Sequence, residues 1–349
     1  MKSGYSEGEA FDPIPRIDLS ALQQEKSSKY FELVEEFGRV FSSIGFALVV
    51  NHGIPSSLVD QVFEASRQFH GLPIKTKMSL ELNHLHRGYI PINTSTDVNS
   101  KFEKIENPNQ SASFMMMRDD SHEDQSIFLS GPNQWPSLEG FRETLETYHR
   151  SMKELGFQLM KLAVLSFGAE PDEILDAFHT PTTWLRLLHY PSRSGAFQEG
   201  IYGSAPHLDF GCLTLLAQDE VGGLQVLSQE EEWVNVPYIA DSFVLNVGEM
   251  LQRLSNGFLI PTPHRVINPE NRERYSCPFF YDPHVNTVIK PLKGTGKPKF
   301  KPIMFSEFLE NELKAGYLRH QTELKHESTK TLNEEINIFL ACQRLEEFR

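Results

Sequence analysis

The sequence predicts one α+β unit with a mainly β core, in which helices surround a run of short strands. After residue 180, short β-like segments follow one another at regular spacing, from WLRLLHYP to TVIKPL, which is typical of a barrel or jelly roll. Earlier in the chain, apolar residues recur at helical spacing, most clearly over 138–168. No linker-like segment divides the 349 residues, so we expect helices to wrap a single β core.

The elements before the β-rich part are predicted in order from their patterns. PIPRIDLS alternates apolar and polar residues and predicts a short strand, and FALVV predicts a buried strand that ends before Gly53 and Pro55. Helices are expected over 26–45 and 56–70. Residues 84–135 lack periodicity and predict a long functional or mobile loop, whereas the last 40 residues return to a helical pattern.

The charge and the cysteine content disfavour several classes of protein. The formal net charge of −14 opposes binding to the phosphate backbone of nucleic acids and to anionic membranes. No N-terminal segment has the pattern of a signal peptide, and no window of about 18 uninterrupted apolar residues predicts a membrane span. Cys212, Cys277 and Cys342 are too few and too scattered for a disulfide framework, so we expect a protein of the reducing cytoplasm.

A histidine and a carboxylate are placed to share one face of a strand in APHLDFG. His207 and Asp209 are two residues apart, and such residues of a strand point to the same side. His264, at the start of a later β-like segment, can supply a third ligand from a neighbouring strand. Two imidazoles and one carboxylate form the facial triad of non-haem Fe(II) oxygenases. A zinc site for hydrolysis and a solvated polar pair are the alternatives left open by these residues.

A second pair of polar residues follows His264 in RYSCPFF. Arg274 and Ser276 are also two residues apart, and the apolar residues after them predict a buried strand. A guanidinium and a hydroxyl can hold a carboxylate together, and a buried arginine requires an anionic partner. Tyr190, in LRLLHYP, is placed to donate to the same carboxylate. Arg186 on the same strand face either forms a salt bridge within the barrel or reaches a carboxylate of the co-substrate or the substrate.

The order and spacing of these motifs resemble those of one known family. H-x-D, a later His and R-x-S occur with GFALVVNHGIP, HRGYIP, SASFMMM, GGLQV and LNVGEMLQRLSNG in the expected order. Over almost its whole length, the chain resembles the isopenicillin-N-synthase-like family of Fe(II)/2-oxoglutarate-dependent oxygenases. The resemblance implies a double-stranded β-helix (jelly roll) flanked by helices, with an N-terminal helical region. It places an N-terminal dioxygenase region at 10–120, the catalytic core at 180–295 and C-terminal helices at 296–349.

The resemblance also implies which residues hold the cofactors. The expected ligands of Fe(II) are His207, Asp209 and His264, and the expected partners of the distal carboxylate of 2-oxoglutarate are Arg274, Ser276 and Tyr190. O2 is the second co-substrate, and ascorbate is expected as an activator. Many plant members carry an asparagine where this chain has Leu188, which removes one expected hydrogen bond near the co-substrate.

The implied reaction is the oxidation of a small-molecule metabolite with O2, as hydroxylation, desaturation or ring closure, with release of succinate and CO2. The residues expected at the substrate are Arg186, Phe114, Met116, Arg118 and Phe280. The main alternative is an iron oxidase on the same scaffold that does not consume 2-oxoglutarate, like isopenicillin N synthase. A non-catalytic jelly-roll module is disfavoured by the complete set of three ligands. No heptad or one-sided apolar stripe predicts an oligomer, so the pattern is compatible with a monomer.

Overall fold

The computed structural model describes residues 14–96, 107–120, 124 and 126–316 of the chain. The helices predicted beyond residue 316 and the first residues of the predicted N-terminal region lie outside the described residues. The described strands are β1 (Arg16–Asp18), β2 (Phe46–Val50), β3 (Gly88–Ile90), β4 (Ala112–Met117), β5 (Thr182–Tyr190), β6 (Ser204–His207), β7 (Leu213–Gln218), β8 (Leu224–Leu227), β9 (Trp233–Asn235), β10 (Phe243–Val247), β11 (His264–Val266), β12 (Arg274–Asp282), β13 (Val288–Ile289) and β14 (Ile303–Met304).

The α-helices of the described ranges lie mainly outside the β-rich part. They are α1 (Ser28–Phe41), α2 (Ser56–His70), α3 (Ile74–Met78), α4 (Phe141–Ser166), α5 (Glu249–Leu254) and α6 (Phe305–Gly316). Short 3-10 turns cover Leu19–Ala21, Pro171–Glu173 and Leu175–Phe178. None of the helices found in these ranges is long and apolar enough to cross a membrane.

Two sheets that share one apolar cluster form the β core. The strand order is β1-β2-β10-β7-β12-β5-β4-β3 in the larger sheet and β6-β11-β8-β9 in the smaller sheet. Leu188 and Val244 of the larger sheet belong to the same buried cluster as Val226 and Val266 of the smaller sheet. The two sheets therefore pack face to face, which confirms the predicted double-stranded β-helix with a mainly β core.

Helices α1, α2 and α4 form a layer against the larger sheet. α2 contacts β5 and β12, and α4 packs against β12 and against both other helices. In α4, apolar residues recur three and four positions apart and are buried, among them Phe141, Leu145, Tyr148 and Met152. This stripe is the pattern that predicted a helix over 138–168, so the sequence located both the helix and its buried face.

The region predicted as a long irregular loop contains two strands. β3 and β4 lie within residues 84–135 and extend the larger sheet beyond β5. Every residue of β4 is buried, and Phe114 on its outer side packs on Phe69 of α2 and Phe141 of α4. A strand buried on both faces has no alternation of polar and apolar residues. The sequence pattern therefore did not reveal it.

Candidate active site

Two histidines and one aspartate meet at the end of the smaller sheet. β6 ends at His207 and β11 begins at His264, and the two residues are direct partners in the antiparallel pairing. Asp209 follows β6, and its Oδ1 lies 3.7 Å from Nε2 of each histidine. The three potential ligand atoms lie within 4.8 Å of one another, so the three side chains can hold one metal ion.

Backbone carbonyls set which ring nitrogen of each histidine faces Asp209. Nδ1 of His207 lies 2.7 Å from the carbonyl oxygen of Ala205, and Nδ1 of His264 lies 3.2 Å from that of Thr262. Because a carbonyl oxygen only accepts, Nδ1 is the donor in both rings, and Nε2 is the nitrogen that would offer its lone pair to a metal ion. Both imidazoles thus direct at Asp209 the nitrogen that a metal ligand must offer.

Two neutral side chains hold the second oxygen of Asp209. Thr214 Oγ1 donates to Oδ2 at 2.5 Å, and Asn246 Nδ2 donates to it at 2.6 Å. Burial raises the pKa of Asp209, but His264, His207 and these two hydrogen bonds outweigh it, so the pKa lies below its ordinary value. The carboxylate is therefore ionised, as a metal ligand must be, and Oδ1 remains the oxygen nearest to the histidines.

A buried aspartate at the end of β12 fixes the loop that follows Asp209. The backbone N–H of Cys212 donates to Oδ1 of Asp282 at 2.6 Å. A Cβ at Gly211 would overlap the same carboxylate, so a residue without a side chain is required there. Burial raises the pKa of Asp282 to about 7 against the hydrogen bond from Cys212, and the nearby Asp209 carboxylate adds to the rise.

A fully buried guanidinium lies between the two sheets. Nη1 of Arg274 donates to Ser276 Oγ at 3.2 Å, whereas Nε and Nη2 have no hydrogen-bond partner among the described residues. Tyr190 is the cross-strand partner of Arg274, and its ring centroid lies 4.6 Å from the guanidinium carbon. Leu188, the departure noted in the sequence, lies opposite Ser276 and adds no polar group. A buried cation with two unpaired donors is suited to an anionic ligand.

A pocket of about 130 Å³ opens beside the histidine–aspartate group. His207 and Asp209 line it together with Arg186 and Phe280, two of the residues expected at the substrate. Nη2 of Arg186 donates to Ser113 Oγ at 3.0 Å, and its buried Nε has no partner within the described ranges. A small molecule bound in this pocket would contact both the potential metal ligands and a guanidinium.

The structure does not place the other three expected substrate residues at this pocket. Phe114 and Met116 point to the helix side of β4, because residues of a strand alternate between its two faces. Arg118 follows the strand; its Nε donates to the carbonyl of Pro181 at 3.1 Å and its Nη2 lies 3.4 Å from Asp120 Oδ2. Phe114 and Met116 therefore contribute to packing, and Arg118 to a largely buried ion pair, rather than to the pocket.

Sequence reasoning missed several residues that do line the pocket. Met115 and Trp184 reach it from β4 and β5, and Glu312 and Leu313 reach it from α6. Met115 lies between two expected residues, and its pairing opposite Arg186 places it on the inner face. The strand register decides which residues of β4 face the pocket, and the sequence pattern did not reveal it. No local pattern indicates where α6 packs, so Glu312 could not be found from the sequence.

Two family models match the chain. Residues 181–283 match the 2OG-Fe(II) oxygenase superfamily, and residues 14–138 match the model described as non-haem dioxygenase in morphine synthesis N-terminal. The 2-oxoglutarate-Fe(II) type oxidoreductase hxnY of Emericella nidulans is 30% identical over 90% of this chain and 94% of its own length. Homoarginine-6-hydroxylase 2-ODD-C23 of Glycine max is 28% identical over 88% of this chain and 98% of its own length.

A solved structure shows the same likeness in three dimensions. A full-length Neurospora crassa protein, crystallised in complex with alpha-KG and thymine, has a TM-score of 0.77 and 28% identity to this chain. The match covers 88% of this chain and 98% of that chain.

The chain belongs to the 2OG-Fe(II) oxygenase superfamily. It is a non-haem Fe(II)- and 2-oxoglutarate-dependent dioxygenase, an oxidoreductase that acts on a small molecule. The fold class, the reaction class and these cofactors were predicted from the sequence, and the comparisons confirm them. The structure fits both cofactors, because it offers a two-histidine, one-carboxylate donor set and a buried guanidinium with unpaired donors.

The raised pKa of Asp282 predicts a pH-dependent stability that Asp282→Asn removes. Between the unfolded pKa of about 3.9 and the folded pKa of about 7, the folded chain binds more protons than the unfolded chain, so stability falls as the pH rises. Asparagine keeps the acceptor for Cys212 without titrating. With a metal chelator present, urea unfolding measures the free energy of unfolding of both proteins. From pH 4 to pH 8, the value for Asp282→Asn should rise relative to that of the wild type by on the order of 2–4 kcal/mol. A difference independent of pH would contradict this account.

Proposed function

We propose that His207, Asp209 and His264 bind Fe(II) and that Arg274 and Ser276 bind the distal carboxylate of 2-oxoglutarate. The observation that carries the proposal is that a group of three metal-ligand side chains and a buried, incompletely paired guanidinium occupy one barrel. A carboxylate supplies the two acceptors that such a guanidinium requires. Tyr190, against the face of the guanidinium, completes the co-substrate site.

Each proposed ligand is held in position by hydrogen bonds to other residues of the chain. The carbonyls of Ala205 and Thr262 hold the histidine rings, and Thr214 and Asn246 hold the carboxylate of Asp209. When bound, Fe(II) and 2-oxoglutarate supply the oxidation of a substrate C–H bond by O2, with release of succinate and CO2. The chain's own tasks are to position that bond and to keep water away from it, for which Phe280 and other apolar side chains line the pocket.

The substrate is proposed to bind in the pocket that contains Arg186 and Phe280. Two relatives show that the identity of the substrate does not follow from family membership, since one is named for homoarginine and the other was crystallised with thymine. Hydroxylation is the proposed outcome, and desaturation or ring closure would use the same site. The chain offers Arg186 as the charged group with which an acidic substrate would pair.

Succinate formation distinguishes the proposed oxygenase from an oxidase that does not use 2-oxoglutarate. The purified full chain, loaded with Fe(II), should consume 2-oxoglutarate and release succinate, one molecule for each molecule of O2 consumed. Oxygen uptake can be followed with an electrode and succinate by chromatography. Turnover of O2 that continues unchanged without 2-oxoglutarate would overturn the proposal in favour of the oxidase.

Replacement of the buried guanidinium should weaken the binding of 2-oxoglutarate. Arg274→Met leaves the carboxylate without its main partner, and loss of one member of a buried charged pair costs about 2–5 kcal/mol, which is roughly 30-fold or more in affinity. Calorimetric titration with 2-oxoglutarate and Mn(II) measures the effect. Arg272→Met is the matched control, because Arg272 is exposed and pairs with Glu220 on the surface. Equal affinities for the wild type and Arg274→Met would refute the role of Arg274.

Loss of a hydrogen bond to Asp209 should weaken metal binding. Asn246→Leu removes the donor to Oδ2, and the loss of such an outer contact typically lowers metal affinity about 10- to 100-fold. Metal titration of the chelator-treated chain measures the dissociation constant. Asn235→Leu, at an exposed asparagine of β9, is the control and should leave the constant unchanged. An unchanged constant in Asn246→Leu would mean that this contact does not support a metal ligand.

Several further expectations from the sequence belong to the same proposal. Ascorbate as an activator follows from the resemblance to the family, and location in the cytoplasm follows from the cysteine content. The division into an N-terminal region at 10–120, a core at 180–295 and C-terminal helices at 296–349 is likewise proposed. Substrate-free turnover with and without ascorbate would test the first of these.

A further inference from the structure

Two side chains of opposite charge line the active-site pocket without an ion-pair partner among the described residues. Arg186 lies on β5, and Glu312 lies on α6. Within the described part of the chain, no salt bridge joins either side chain to the other or to a third residue. Both occur in the pocket that His207 and Asp209 also line, so a ligand near the metal site would contact them.

The surroundings of Arg186 leave its charge uncompensated. Its guanidinium donates one hydrogen bond to the neutral hydroxyl of Ser113, and its buried Nε donates none to a described residue. The side chain opposite it on β4 is that of Met115, which cannot accept a strong hydrogen bond. Arginine keeps its positive charge at any ordinary pH, so a carboxylate from a ligand would be its natural partner.

Glu312 differs from its neighbour Glu310 on the same helix. Glu310 is exposed and pairs with Lys314 at 2.8 Å, whereas Glu312 is half-buried against the pocket. Burial raises the pKa of Glu312 to about 7, and the Glu249 carboxylate adds to the rise. No described cation offsets these effects. A positively charged group entering the pocket would therefore stabilise the ionised carboxylate.

The rest of the described pocket wall, away from the metal-site residues, is neutral. Its apolar part comes from residues such as Trp184, Phe210 and Leu313, which offer no charge to a ligand. A ligand with a single charged group would thus leave either Arg186 or Glu312 desolvated and unpaired, which is unfavourable. A ligand with one group of each sign would pair both, and two fixed ends would orient the carbon chain between them.

We propose that the primary substrate is an aminocarboxylate, whose carboxylate binds Arg186 and whose cationic nitrogen binds Glu312. This inference rests on the proposed function, because it assigns the substrate class of the same site. It adds Glu312 as a specificity-determining residue, placed by a helix that follows the barrel in sequence.

Matched ligands test the requirement for both charges. The full chain, loaded with Fe(II) and 2-oxoglutarate without oxygen, is titrated by calorimetry with 6-aminohexanoate, L-lysine and L-arginine. Hexanoate, hexylamine and thymine are the comparison ligands. At least one aminocarboxylate should bind about tenfold or more tightly than each of the three comparison ligands, a difference of roughly 1.4 kcal/mol. Tighter binding of thymine or hexanoate, or no binding of any aminocarboxylate, would overturn the inference.

Variants assign the two charges to the two residues. Glu312→Gln keeps the shape of the side chain and removes only the negative charge that faces the cationic nitrogen. The affinity for the aminocarboxylate should fall about tenfold or more, and the affinity for hexanoate should change little. Arg186→Met should lower the affinity for both the aminocarboxylate and hexanoate, because both carry a carboxylate. Glu310→Gln, the control on the exposed side of α6, should change neither. If Glu312→Gln lowered the affinity for the aminocarboxylate and for hexanoate equally, Glu312 would have a structural role, which would contradict the assignment.

Substrate-free turnover of the wild type separates the two levels of failure. If Fe(II) and 2-oxoglutarate give no succinate with or without an added ligand, the proposed function fails. If succinate is released but no aminocarboxylate binds or accelerates its release, only the substrate class fails.

Discussion

The antiparallel pairing of β6 with β11 is the constraint on which the active site depends. It sets His207 directly opposite His264. The carboxylate beside them, that of Asp209, is held by Thr214 and Asn246, which are themselves cross-strand partners on β7 and β10 of the other sheet. One carboxylate thus joins both sheets. A slip of one residue in either pairing would turn its partners to the opposite face, so the proposed metal ligands form a group only in the assembled barrel.

Charged groups without partners are unusual inside a protein, since each buried donor left unpaired costs about 1–3 kcal/mol. Here they occur in the barrel interior. Among the described residues, Arg274 keeps two unpaired donors in the apolar cluster between the sheets, and Arg186 keeps one beside the proposed metal site. The pairing of strands into sheets and the helix layer outside the larger one hold these residues in place. The co-substrate and the substrate of an oxygenase would accept hydrogen bonds from these unpaired donors.

The sequence determined much of the fold because local pattern and tertiary environment agree there. In α4, the apolar residues recur at helical spacing on the side that packs against its neighbours, so the sequence pattern predicted the helix. β4 is the contrary case, because both of its faces are buried and its residues ASFMMM carry no alternation. The same absence of pattern hid the register of the strand. Phe114 and Met116 were therefore expected in the pocket that Met115 occupies.

For the site, the sequence by itself determined the residue types and their spacing. His207 and Asp209, and likewise Arg274 and Ser276, are two apart on strands, and strand geometry alone directs each pair to one side. Only the tertiary structure decided which other residues lie around these side chains. It places Asn246 on the carboxylate of Asp209 and brings Glu312 to the pocket from a helix beyond the barrel. Such contacts join residues far apart in the chain, and they depend on how whole elements pack, which no local spacing records.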